Sequence, residues 1–348
     1  MADIVSRYGW ILRYVPLLVV LSILSLYLRG GVVEMAFGGG SGTESDPYLI
    51  ATEAHLRDMA AHPLPKDRKH FLQTTDIALS GEWSPIPEFS GRYNGNGHKI
   101  TDLTIKNDRL TYVGLFGIIE HDGEIRDLTV ETSSEGISNS IEDVRSGIIA
   151  GKNSGLIENC TTRGRVEDGV LAGGITAYND GTVKNCVNHA VIASTGVCRY
   201  FSAGGIVGMN NDVLTGTTGL ITGCTNYGSI TAESKTGGIV SENVGTVEYC
   251  ANHGSVSTKG GIFEIYAGGV AGSNNNDSLI VGCRNTGAVS ASGQKRVFAG
   301  GIVGINIGRT IDSRSAVDAS AQGEPSGHGV VVGRMYSGEI INCGELRQ

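Results

Sequence analysis

A right-handed parallel β-helix of roughly 31-residue, three-strand coils with a short N-terminal capping helix is the fold this sequence predicts. Three observations predict it: a gapless internal repeat, Gly and Asn at fixed places within each repeat, and a composition of 53 Gly and 7 Pro in 348 residues. That much glycine without a Gly-X-Y period excludes collagen and dilutes any long helix. With 40% hydrophobic and 18% charged residues, the chain is not of the disordered type.

Residues 1–38 read as a signal peptide. Arg7 and Arg13 precede a 14-residue apolar run, Val15 to Leu28, and small residues at Ala36 and Gly38 suit a peptidase. The run is short of the roughly 20 residues that span a bilayer, so membrane contact is expected only through this segment, and only if it stays uncleaved. A secreted or cell-surface location follows. The segment carries two acidic against three basic side chains, leaving −9 of the total charge of −8 on the remainder. Nucleic acid is thereby an unsuitable partner.

Residues 39–110 are expected to form the N-terminal cap and first coils. Thr52 to His62 reads as a helix, with Thr52 as cap, Leu56 and Met59 on one face, and Pro63 as stop. Such a helix would shield the apolar side chains and open strand edges of the first coil.

Residues 111–348 carry the repeat. Gly174-Ile175-Thr176-Ala177-Tyr178-Asn179 with Thr182-Val183-Lys184-Asn185-Cys186 reappears as Gly238-Ile239-Val240-Ser241-Glu242-Asn243 with Thr246-Val247-Glu248-Tyr249-Cys250. From Gly174 the copies start 31, 33, 31 and 32 residues apart, at Gly205, Gly238, Gly269 and Gly301. The apolar stretches in a unit are too short for helices and long enough for strands, and stacked units pair them in parallel about 4.8 Å apart. Gly and Asn are expected at corners, where positive φ is needed. Ile175, Ile206, Ile239, Val270 and Ile302 should form one buried stack.

Cys160, Cys186, Cys224, Cys250, Cys283 and Cys343 share one repeat position, and Cys198 lies off register. A bridge between stacked coils is permitted by Cα spacing, but in-register side chains point the same way, which favours an interior ladder of free thiols. In the copy starting at Gly301 the cysteine position reads as Arg314, so that coil is expected to open into an irregular surface loop over 312–328. The last coil then needs cover, from that loop or from end-to-end self-association.

The pattern G-[IV]-x-[GAS]-x-N followed by G-x-[IV]-x-[NGY]-C resembles the GLUG motif, found in arrays on secreted and adhesin-like surface proteins of bacteria and outside the catalytic domain of IgA-specific metallopeptidases. Gly42 to Ile50 and Phe89 to Ile100 also resemble the opening coils of pectate-lyase-like β-helices. The resemblance covers about residues 41–348 and implies a scaffold.

For chemistry, HExxH, G-x-S-x-G, the P-loop and the calcium nonapeptide are missing from the sequence. No cofactor is expected, and calcium has no motif in its support. A thiol every ~30 residues in a line builds no metal site. The carboxylates Asp122, Asp127, Asp143, Asp180, Asp212 and Asp277 share no repeat position. A polysaccharide lyase or hydrolase is therefore the weaker alternative to a noncatalytic adhesin-like or structural protein whose ligand is a glycan or a surface protein.

Candidate binding residues lie in insertions. Asn210 to Ile221 takes 11 residues and Asn274 to Ile280 takes 6, against 4 from Asn179 to Val183, so Asn211, Asp212, Asn275 and Asp277 are expected on loops from one corner, flanking a notch. A second arm brings Tyr200 and Tyr266, and Phe201, Tyr266 and Phe298 are expected to stack, inward as filling or outward as an aromatic strip. His189 and His253 share a position with Tyr227 and Thr286, as expected of a variable exposed corner.

Overall fold

The computed structural model describes residues 37–61, 69–106, 110–139, 144–168, 170–194, 201–210, 219–260 and 264–346. Residues 1–36 of the signal segment, His62, Pro63, Asp143, Cys198, Tyr200, Asn211 and Asp212 lie outside them. Among the described residues no helix is long and apolar enough to cross a membrane.

The chain is a parallel β-helix. One turn shows the pattern: Leu171–Gly173, Thr176–Asn179, Thr182–Lys184, Val187–Asn188 and Val191–Ser194. These five short strands, where the apolar stretches suggest three, each pair in parallel with their counterparts above and below. Third strands build an eleven-stranded sheet from Tyr48–Ile50 to Glu339–Ile341, and second strands a nine-stranded one from Ile86–Phe89 to Val332–Met335. First strands form an eight-stranded sheet, while fourth and fifth strands share a sixteen-stranded sheet through the long strand Thr129–Ser138.

The extra strands come from two bends inside stretches that look continuous in sequence. At the Gly-Gly bend the first strand folds back against the second, so closely that a Cβ on Gly237 would stand 1.8 Å from the Val240 oxygen. The same packing explains the small residue of the motif. A Cβ on Gly208 would meet the Ala177 oxygen at 2.6 Å and the Leu171 side chain at 2.8 Å, so only Gly, Ala or Ser fits the column Ala177, Gly208, Ser241, Gly272, Gly304.

Ile175, Ile206, Ile239, Val270 and Ile302 are fully buried in one column. Their backbones link in a ladder, Ile175 N–H to Ile206 O at 2.9 Å through Val270 N–H to Ile302 O at 2.8 Å. They share the main core with Val183, Ile221, Val247, Ile280, Cys160, Cys186, Cys224, Cys250 and Cys283. A second apolar cluster, Val256, Ile265, Ala267, Val289, Val297 and Ala299, lies between the fifth-strand and first-strand sheets. In the N-terminal turns the main core is filled with rings, Phe71, Phe89 and Phe116 lying 5.9 and 5.0 Å apart.

Helix α1 (Glu53–Ala61) buries Leu56 and Met59 against the first turns. Thr52 Oγ1 accepts from His55 N–H at 3.3 Å, the N-cap bond. Glu53 accepts from both the backbone N–H (3.1 Å) and hydroxyl of Ser80 and pairs with Arg57 at 2.6 Å, fastening the helix to the solenoid.

Three expectations need correction. Gly and Asn do take positive φ at the motif position just before the cysteine column, at Asn159, Asn185, Asn342, Gly223 and Gly282, joined there by Tyr249 and Asp312, but the asparagines of the first half of the motif are not such corner residues. Asn153, Asn179, Asn210, Asn243, Asn274 and Asn306 instead stack inside, each Nδ2 donating to the next Oδ1 at 2.8–2.9 Å. A parallel ladder runs Thr162, Asn188, Asn226, Asn252, Asn285 and ends on Ser315.

Secondly, Arg314 does not stand at the cysteine position. The register pairs Arg284 with Arg314, which puts Ser313 opposite Cys283. Ser313 is fully buried, its hydroxyl accepting from Cys283 N–H at 3.2 Å, while Arg314 reaches outward to Asn342. With a hydroxyl of nearly thiol size inside and the guanidinium in solvent, nothing forces the turn open. Residues 312–328 accordingly form a regular turn, Arg314–Ser315, Ser320–Gln322 and Ser326–Gly329, and not a loop folded over the last coil.

Thirdly, Phe201 is one place out of line. Ser202, Lys235, Tyr266 and Phe298 share a column, so Phe201 falls in the column of Ile265 and Val297.

Candidate functional site

Facing strands on either side of the Gly-Gly bend bring residues seven apart together. Lys235 Nζ lies 2.5 Å from Glu242, and the next two turns replace that ion pair with Tyr266, Phe298 and Ile305. Tyr266 and Phe298 stack at 6.1 Å and, with Ile305, form a cluster of their own outside the main core. Arg334 lies over Phe298 at 4.8 Å and over Tyr336 at 4.3 Å. The rings are covered, Tyr266 and Phe298 being only 7% and 6% exposed, so their faces are taken by protein groups and offer no open strip to a sugar.

The described loop candidates meet this edge. Asn275 donates to Glu242 at 2.8 Å, beyond the Lys235 pair, and Tyr266 bonds Glu264, which also pairs with Arg296. Asp277, at φ 60°, is exposed at the tip beside Asn276. Asn275 thus belongs to the Glu242–Lys235 group, Tyr266 to the Glu264–Arg296 group, and Asp277 stands apart from both.

The cysteine column lies opposite this edge of the main core. Cys160, Cys186, Cys224, Cys250 and Cys283 are buried free thiols, and Cys343 is a half-buried one. Cys186 N–H donates to the Cys224 sulfur and Cys224 N–H to the Cys250 sulfur, both at 3.4 Å. Burial pushes the thiols of Cys160 and Cys250 well up, so they stay protonated and unreactive. Among the described residues no group of three or more His, Cys, Asp and Glu gathers to hold a metal.

On the outside of the fourth strands, one place past the asparagine ladder, the side chains form a stripe that sequence reasoning left as a plain corner. Tyr227 stacks between His189 and His253, 5.0 and 4.9 Å away with interplanar angles of 9° and 14°. His253 Nδ1 continues the line to Thr286 Oγ1 at 2.7 Å. Parallel strands about 4.8 Å apart place equivalent rings at stacking distance, so a repeated aromatic position becomes a pile. Burial and then Arg163 lower the pKa of His189.

Two residues after His189, Val191 lines a trough. Strand Thr129–Ser138 slips register between Val130 and Ile137 as it crosses from the fourth-strand to the fifth-strand ladder. Its bulge is held by Ser133, whose hydroxyl accepts from Thr104 Oγ1 at 2.7 Å and from Glu135 N–H at 3.2 Å. On one side lies a 550 Å³ cavity lined by Thr132, Ser133, Ser134, Gly164, Arg165 and Val191. On the other, 360 Å³ is bounded by Gly81, Glu82, Thr104, Lys106, Ser133, Ser134 and Glu135. Lys106 Nζ pairs with Glu135 at 2.5 Å, its backbone N–H donates to Glu82 at 3.1 Å, and Arg165 pairs with Glu167. The bulge has no repeat counterpart, and hence no periodic signal in the sequence.

Known proteins match this architecture in part. No family model matches the chain. Over 153 residues, 40% of the chain, it is 32% identical to a protein of Evansella cellulosilytica named as a Gly-rich membrane protein, and over 159 residues, 41%, it is 31% identical to halomucin of Haloquadratum walsbyi. The chain spans only 17% and 2% of the length of those relatives. A solved structure from Bacteroides ovatus, named for an immunoglobulin A1 protease, aligns with 89% of this chain and 87% of its own at a TM-score of 0.56 and 20% identity, a likeness of fold.

Proposed function

We propose that this protein is a noncatalytic, exported β-helix that serves as an adhesin-like or structural component of a cell surface, with a glycan or a surface protein as ligand. The observation that carries this reading is the pair of buried amide ladders, Asn153 to Asn306 and Thr162 to Ser315. They satisfy the interior polar groups turn by turn and make a stiff rod whose variable chemistry stands on its outer columns. The names of the relatives, a membrane protein and halomucin, support a surface location.

Protease shaving of intact cells followed by peptide mapping tests the location: loss of the solenoid's peptides from intact cells is expected, and full protection would reject display. Binding of the full chain to glycan and surface-protein arrays, run beside assays for reducing ends and unsaturated products, tests the rest. Binding without turnover is expected.

One observation favours the alternative of a carbohydrate-active enzyme. Glu82 and Glu135 face the same trough with Lys106 between them, the residue types that glycoside cleavage uses. Turnover abolished by Glu135→Gln and Glu82→Gln would establish that reading and displace the first.

A further inference from the structure

We propose that the trough beside Ser133 and Ser134, continued by the His189–Tyr227–His253 stripe, is a binding site for an uncharged polysaccharide strand. This deepens the binding reading by naming where the ligand lies and its chemical class.

The two cavities adjoin at the bulge, with Ser133 and Ser134 in the walls of both, and their 550 and 360 Å³ give each of them room for sugar rings. Of the eleven lining residues four carry hydroxyls, Thr104, Thr132, Ser133 and Ser134, and four are charged, Glu82, Lys106, Glu135 and Arg165. Val191, 51% exposed, supplies an apolar surface at one wall. A sugar ring presents the matching chemistry, with hydroxyls that both donate and accept around its rim and a face of C–H groups for an apolar contact.

Charge decides which sugar. The cations of the trough are neutralised in place, Lys106 by Glu135 and Arg165 by Glu167, and Glu82 adds a further carboxylate. A uronate or sulfate would have to break one of those pairs and then lie beside carboxylates, whereas a neutral ring accepts from the donors and donates to the acceptors as they stand. A peptide strand is disfavoured for a separate reason. Recognition by strand addition needs a free edge, and here Arg165 N–H is already bonded to Thr132 Oγ1 at 3.0 Å.

His189 stands two residues before the cavity's Val191 on the chain, just past the end of the fourth strand. Because Tyr227 holds its two faces against His189 and His253, the stripe presents ring edges, with imidazole nitrogens and a phenol hydroxyl about 5 Å apart. That spacing is close to the length of one hexose, so a strand leaving the trough finds a polar contact on each successive turn.

The test is titration calorimetry of the full chain in mild detergent with three neutral hexasaccharides (cellohexaose, mannohexaose, chitohexaose) and with a galacturonate hexamer. Variants are Val191→Glu and Ser134→Trp in the trough, Tyr227→Ala on the stripe, and Glu88→Gln, exposed on the second-strand sheet, each checked by thermal melting. Expected is binding of at least one neutral hexamer, at least tenfold weaker in both trough variants, about threefold weaker in Tyr227→Ala and unchanged in Glu88→Gln. Absence of binding by all three neutral hexamers, tighter binding of galacturonate, or binding that survives both trough variants overturns the proposal. Cleavage of a bound neutral hexamer would reject the noncatalytic reading while leaving this ligand class in place.

Discussion

Asn210 donates from Nδ2 to the Oδ1 of Asn243 at 2.9 Å, and Asn243 passes the same bond to Asn274 at 2.9 Å, with both side chains wholly buried. Each amide also gives its second hydrogen to a carbonyl of its own corner, as Asn243 does to Gly245 at 3.1 Å. Replacing Asn243 by Ala takes away the acceptor of Asn210 Nδ2 and of Gly245 N–H, so a loss of about 1–3 kcal/mol is expected by guanidinium titration. Asn243→Asp should cost more, because its carboxylate then faces the Asn274 oxygen and the Gly245 carbonyl with no hydrogen to give. Equal stability of either variant with wild type would show that the ladder contributes nothing net.

The thiol column makes a chemical prediction. In a Cys198→Ser background, Cys343 should react with Ellman's reagent in the native protein, since it is only half-buried, whereas Cys160, Cys186, Cys224, Cys250 and Cys283 should react only on unfolding. Because Ser313 already fills the column between Cys283 and Cys343, Ser313→Cys should fold normally and change stability by less than about 1 kcal/mol. Mass spectrometry showing a native disulfide among these residues would contradict the column of free thiols.

Two glycines separate packing from backbone conformation. Gly237→Ala places a Cβ 1.8 Å from the Val240 oxygen, a clash with backbone that cannot move without opening the Gly-Gly bend, and should cost about 3 kcal/mol or more. Gly97, at φ 78°, has open space around it. Gly97→Ala should therefore cost only the left-handed penalty of about 1 kcal/mol. Similar losses at the two sites, measured by chemical denaturation, would refute the close approach of first and second strands.

Helix α1 should be acid-sensitive. Burial raises the Glu53 pKa, but the bonds from Ser80 and Arg57 outweigh it and hold the carboxyl below its ordinary 4.5. A group lowered in the folded state contributes stability above its unfolded value and loses it as pH falls through the lower, folded one. Hydrogen exchange of the helix should thus quicken below about pH 4.5, before the repeats respond, and Glu53→Gln should remove that step. An α1 whose protection is flat down to pH 3 would reject the role of Glu53.

How much of this was legible in the amino-acid order differs from residue to residue. The Ile239 column was readable, because a hydrophobe that recurs once per turn among polar neighbours has one stable place, inside. Helix α1 was readable from Thr52, Leu56 and Met59. Ser313 was misread because the cysteine column was followed by counting along the chain, and a one-residue slip puts an arginine where a serine belongs. Tyr266 was placed on the right strand, yet its surroundings were not readable, since they depend on Ile305 and Arg334 from later parts of the chain.

The repeat period and its apolar columns specify stacked parallel turns, since a coil that cannot bury its own face must bury it on its neighbours. Side-chain period alone therefore sets the architecture. The direction each polar column faces was settled only by the folded backbone. Asn243 and His253 are both polar residues at recurring positions, but one lies at the end of a strand that turns into the core and the other one step past such an end, in solvent. The trough is further still from sequence, because it arises where Thr129–Ser138 passes from one ladder to another and slips register. A hydrophobic period carries no record of such a slip: it is fixed by the strands paired along both edges of these ten residues, Lys99–Lys106 on one side and Thr161–Arg163 with Arg165–Asp168 on the other.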